Sequence, residues 1–195
     1  MHLIRHPIQD VIFAKAAVLI LMLMALSGIP ASLFAAGPMS DAEKRELALN
    51  MYAEYQKKFP EVEDIAPDSA IKLLSDPDVV FVDVRKAEEQ AVSMIPGAIT
   101  KQVFTDHLER YRHKRVIAYC TISYRSGMLA AELKRKGISV INLRAGLLGW
   151  THAGGPLVRQ NRPVQRLHVF GRKWDLAPAA VDTVYFKWYQ KLFAR

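Results

Sequence analysis

Short unbroken apolar runs, "VVFVDV" (79–84), "RVIAY" (115–119) and "SVINL" (139–143), alternate with segments whose apolar residues recur every three or four positions. The latter are "DSAIKLLSD" (68–76), "TDHLERYRHK" (105–114) and "SGMLAAELKRKG" (126–137). The first pattern predicts strands buried on both faces and the second predicts helices. Together they describe a compact α/β domain over 60–158, an open parallel sheet flanked by helices. Ahead of it, Ser40 with Glu43 three residues on forms a capping box. The helical spacing of "DAEKRELALNMYAEYQKKF" then predicts a connecting helix over 40–59, ended by Pro60. Beyond the domain, Val181, Val184, Tyr185, Trp188 and Leu192 share one face at helical spacing, with Lys187 and Lys191 turned away. That predicts an amphipathic helix in the extension 159–195, packed on the domain or docked on a membrane or partner.

The N-terminal segment is different in kind. From Ala16 to Met39 there is no charged residue, and Arg5 and Lys15 precede the run. Residues 1–36 therefore read as a signal peptide or membrane anchor. Gly28 and Pro30 interrupt the apolar run, and small residues follow at Ala35 and Ala36, as in a cleavable signal. Basic residues before the run put the remainder on the exported side, soluble after cleavage or held by the anchor.

Charge sharpens the division. From Leu157 onward eight basic residues stand against Asp175 and Asp182, so this tail carries six of the chain's formal charge of +8. The charge is dispersed and belongs to no nucleic-acid-binding motif, so no nucleic-acid partner is expected. Of six histidines, His2 and His6 belong to the leader, His107 and His113 to a charged helical segment, and His152 and His168 have no partner at metal-ligand spacing, so no metal or cofactor is expected.

Cys120 is the only cysteine, which excludes an intramolecular disulfide. It stands where "RVIAY" stops and a helix begins, at the C-terminal edge of a parallel sheet, where α/β proteins bind ligands. Backbone amides of the intervening loop and first helical turn favour an anion there, and Arg125 adds a fixed positive charge. An unpaired thiol in an oxidising compartment is exposed to mixed-disulfide formation. Its presence points to a nucleophile.

The loop "CTISYRS" resembles the active-site loop of single-domain rhodanese-like sulfurtransferases, with Ser123 where that family commonly has glycine. "VDVRKAEEQAVSMIPGAI" looks like the family's upstream signature and "LRAGLLGWTHAGGPLV" like its downstream one. The resemblance implies a rhodanese-like fold and a persulfide on Cys120, formed from a small anionic sulfur donor and passed to a thiol acceptor. It implies that Thr121, Ile122, Ser123, Tyr124 and Arg125 bind substrate, the first four through their amides. Asp83, Arg85 and Ser126 support the loop, and Trp150 belongs to the core. Cysteine phosphatases use Cys-x5-Arg, whereas this loop is Cys-x4-Arg, a ring sized for one sulfur atom rather than a tetrahedral phosphate. The expected activity is exported, thiosulfate-sulfurtransferase-like catalysis. The alternative is a non-enzymatic rhodanese-like module that carries sulfur for, or binds, a partner.

Overall fold

The computed structural model describes residues 37–185. The leader, and the part of the C-terminal helix expectation that concerns Trp188 and Leu192, lie outside them. Among the described residues no helix is long and apolar enough to cross a membrane.

Helix α1, Asp41–Gln56, starts at the capping box: the Ser40 hydroxyl accepts from the Glu43 amide, and the Glu43 carboxylate accepts from the Ser40 amide. It buries Ala48 and Tyr52 and lies directly on the α/β domain. Then follow β1 (Asp64–Ile65), α2 (Pro67–Ile71), β2 (Val79–Asp83), α3 (Ala87–Gln90) and β3 (Ile99–Thr100). Next come α4 (Lys101–Asp106), α5 (Leu108–Tyr111), β4 (Arg115–Tyr119), α6 (Tyr124–Lys134), β5 (Ile141–Leu143) and α7 (Gly146–His152). The strands form one parallel sheet in the order β1-β5-β4-β2-β3. The apolar runs map onto β2, β4 and β5, and β4 lies at the centre between β5 and β2.

One core fills each face of the sheet. Phe81, Ile117, Tyr119, Leu143, Leu147, Leu148 and Trp150 belong to the first. Val82, Val116, Ala118, Phe104, Leu129 and Leu133 belong to the second. Successive residues of β2 and β4 thus point to opposite faces, and both are apolar. Trp150 is fully buried, stacks edge-on against Phe81 at 5.8 Å, and donates its indole N–H to Pro156 O.

Two predicted helices are corrected. The segment 105–114 is not continuous: Thr100 caps α4 through the Val103 amide, and the backbone breaks at His107 (φ −134°, ψ 40°) before α5. Only Phe104 is buried among these residues, so no continuous apolar face holds a longer helix together. In the C-terminal extension, Asp182–Val184 is a strand (β9), paired in parallel with β8, Arg166–His168. Thr183 and Val184 of this segment are β-branched, and the segment satisfies its backbone in the ladder, which helical spacing of apolar residues does not reveal.

The remainder of the extension also packs. A hairpin of β6 (Val158–Arg159) and β7 (Arg162–Pro163) turns through Gln160 and Asn161, both at positive φ. Leu167, Val169, Leu176, Ala177 and Val181 are buried in the same cluster as Ile65, Phe81 and Trp150. His152 Nε2 donates to Leu176 O at 2.8 Å, and Lys44 Nζ of α1 donates to Ala177 O.

Candidate active site

Cys120 follows β4, the central strand, and is 2% exposed. The loop then turns at Ser123 into α6. Ser123 occupies the left-handed region (φ 69°, ψ 4°), at the position where the resemblance places glycine. A non-glycine residue there costs about 1–2 kcal/mol. Two hydrogen bonds hold it: its hydroxyl donates to Leu143 O, and its carbonyl accepts from Asn142 Nδ2 at 3.1 Å.

The carbonyls of the loop are turned toward α7. Leu147 N donates to Cys120 O at 2.9 Å and Leu148 N to Thr121 O at 3.1 Å. This close approach requires Gly146, whose φ is +54°. A Cβ there would lie 2.3 Å from Cys120 O and 2.9 Å from Ile122 N. Among the described residues the amides of Thr121, Ile122, Ser123, Tyr124 and Arg125 have no acceptor. Five donors concentrated in one turn beside a thiol constitute an anion-binding arrangement. The Thr121 hydroxyl, which lines the same space, is buried and also without a partner, as is Ser126 Oγ.

Arg125 donates through both terminal nitrogens to the two Glu89 oxygens, at 2.7 and 2.8 Å. This uses two of its five N–H groups and leaves the others for a ligand. Burial lowers the Arg125 pKa, but Glu89 and the neighbouring Cys120 outweigh that and raise it above its ordinary value. Burial likewise pushes the Glu89 carboxyl up. Hydrogen bonds from Arg125, His168 and the Lys86 amide more than offset it, and hold Glu89 well below the usual carboxylate range.

A prediction follows for Glu89→Gln. Because the folded pKa is depressed, the stability from Glu89 is present above its ordinary value of 4.5 and is lost as pH falls through the folded value. The variant should lose about 1.5–3 kcal/mol at neutral pH. It should also lack the part of the acid limb of wild-type unfolding that Glu89 contributes, read by thermal melts from neutral pH downward.

Asp83 and Arg85 are both fully buried. Their side chains pair at 2.7 Å, and Arg85 also donates to Ser93 O through the same nitrogen. Burial opposes the Arg85 charge, but Asp83 outweighs it and raises the pKa. Asp83 is in register with Tyr119, the residue before the cysteine, and Tyr119 OH accepts from Ile95 N. The pair thus ties β2 and the segment 93–95 to the end of β4. Arg85→Leu leaves Asp83 buried without its charge partner, at a cost of about 3–5 kcal/mol. We expect a correspondingly lower denaturant midpoint; a loss below ~1 kcal/mol would remove the pair from the scaffold of the loop.

Cys120, Thr121, Ile122, Tyr124 and Arg125 line a cavity of about 290 Å³, together with Tyr55, Lys58, Phe170 and Trp174. Ser123, Ser126, Asp83 and Arg85 are buried and do not line it. The residues that sequence reasoning missed are Glu89, Tyr55 of α1, Lys58 in the turn after it, and Phe170 and Trp174 of the extension. Glu89 lies within the upstream signature, but its partner is 36 residues away, and only the folded chain joins them.

Residues 66–153 match the rhodanese-like domain family. A sulfurtransferase of Allochromatium vinosum is 33% identical over 102 residues, which cover 50% of this chain and 95% of that protein. The chain belongs to the rhodanese-like sulfurtransferase family. A tRNA uridine(34) hydroxylase of Synechocystis sp. is 32% identical over 47% of this chain and 37% of its own. An uncharacterized protein of the same organism is 32% identical over 105 residues, and the chain spans 59% of its length. Among solved structures, a thiosulfate sulfurtransferase of Pseudomonas aeruginosa aligns with a TM-score of 0.49 and 25% identity, over 59% of this chain and 23% of that one.

Proposed function

We propose that this protein is an exported sulfurtransferase that moves sulfane sulfur from thiosulfate or a persulfide to a thiol or other nucleophilic acceptor through a Cys120 persulfide. The observation that carries the reading is the placement of one thiol at the cavity, beside Arg125 and five loop amides without acceptors. The Cys120 thiolate attacks the outer sulfur of thiosulfate, the S–S bond of the donor breaks, and sulfite departs with the bonding pair. Arg125 offsets charge gathering on the departing sulfite, and the loop amides stabilise the anionic persulfide. The acceptor then attacks the outer sulfur, and Cys120 leaves as thiolate. Export is supported by the uncharged run Ala16–Met39 behind Arg5 and Lys15. The test is turnover of purified protein with thiosulfate and cyanide, read as thiocyanate, together with persulfide detection after donor treatment. Absence of both would favour the non-enzymatic module instead.

A further inference from the structure

Four of the nine residues that line the cavity lie outside the segment shared with the family: Tyr55 from α1, Lys58 from the turn that follows it, and Phe170 and Trp174 from the extension. They make its wall aromatic. Tyr55 packs at a tilt against Tyr124 with ring centroids 5.1 Å apart, and Phe170 meets Trp174 edge-on at 5.7 Å. Phe170 is 59% exposed and lines the same cavity as the buried thiol. The cavity's charge is also specified. Arg125 is matched by Glu89, whereas Lys58 Nζ sits 5.2 Å from the Tyr124 ring and makes no ion pair among the described residues. A volume of about 290 Å³ is at the lower end of small-molecule sites and far exceeds what thiosulfate or cyanide fills.

Resting on the sulfur-transfer reading, we infer that the acceptor is a small organic thiol with a flat, aromatic body and one carboxylate. The rings hold the body and Lys58 holds the carboxylate. The acceptor thiolate attacks the outer persulfide sulfur, a new S–S bond forms on the acceptor, the old one breaks, and Cys120 retains the electron pair. The product is the acceptor's persulfide, and no oxidant is consumed.

The probes are 4-(mercaptomethyl)benzoate, 3-mercaptopropionate, which lacks the ring, and phenylmethanethiol, which lacks the carboxylate. The assay follows discharge of protein preloaded with thiosulfate. Wild type should prefer 4-(mercaptomethyl)benzoate over 3-mercaptopropionate by about tenfold in kcat/KM. Phe170→Ala and Trp174→Ala should each shrink that ratio severalfold; Phe170 is exposed enough that its loss leaves the core intact. Lys58→Met should shrink the preference over phenylmethanethiol, and added salt should do the same in wild type. Intrinsic thiol reactivity cancels when variants are compared with wild type. Equal rates for the ringed and ringless thiols on loaded wild type, or ratios unmoved by all three substitutions, would overturn the inference while leaving sulfur transfer standing. Failure to load any persulfide would overturn both.

Discussion

Cys120→Ser should lose sulfur transfer by roughly 10³-fold or more while melting close to wild type. The cysteine is 2% exposed, and the change removes one polarisable atom from a site whose walls are otherwise unchanged. Its backbone carbonyl, which holds the loop to α7 through Leu147 N, is retained, so the geometry of the amides should survive. A serine hydroxyl is scarcely ionised near neutral pH and forms no persulfide. The comparison is therefore between two folded proteins that differ in one nucleophile. The check is thiocyanate formation by both proteins, with melting curves recorded alongside. A serine variant that turned over at the wild-type rate would show that Cys120 is not the nucleophile.

Ending the chain at Val158 should be the most destabilising change of all. Leu167, Val169, Leu176 and Val181 are buried in the main core, and each large apolar side chain contributes roughly 1.5–3 kcal/mol before ordering costs. The truncation also removes the β8–β9 ladder and the Leu176 carbonyl that accepts from His152. We expect the shortened chain to melt far lower or not to fold. Leu167→Ala in the full chain should independently cost about 2–5 kcal/mol. An unchanged melting curve for both would mean that the extension does not pack as the fold shows.

These two results bear on how much could be read from the sequence. The parallel sheet was legible because β2 and β4 carry apolar residues on both faces, as strands covered on both sides do. The start of α1 was legible because its cap is local, closed between Ser40 and Glu43. The loop was legible because Cys120, Arg125 and Ser126 lie within seven consecutive residues. What failed involved longer range or a competing conformation. The periodicity of Val181, Val184 and Tyr185 fits a helix, but β8 offers Asp182–Val184 a ladder, and pairing with a distant strand leaves no mark in local spacing. The segment 105–114 looked helical, yet it lacked the buried face that sustains a long helix. Glu89 was visible as a carboxylate, but not as the bidentate partner of Arg125. The aromatic wall was hidden for the same reason, since Tyr55 and Trp174 meet at the cysteine only after both ends of the domain have wrapped around it. Ser123 is intermediate: its departure from glycine was visible, while the bonds from Asn142 and to Leu143 that hold it at positive φ required the fold.

The most direct measurement is mass spectrometry of the intact protein after brief exposure to thiosulfate, followed by peptide mapping. The account predicts a gain of one sulfur atom, located on the peptide containing Cys120, absent from Cys120→Ser, and removed by cyanide or a thiol. A protein that gains no sulfur from thiosulfate or from a persulfide donor, while its melting curve shows it folded, would contradict it.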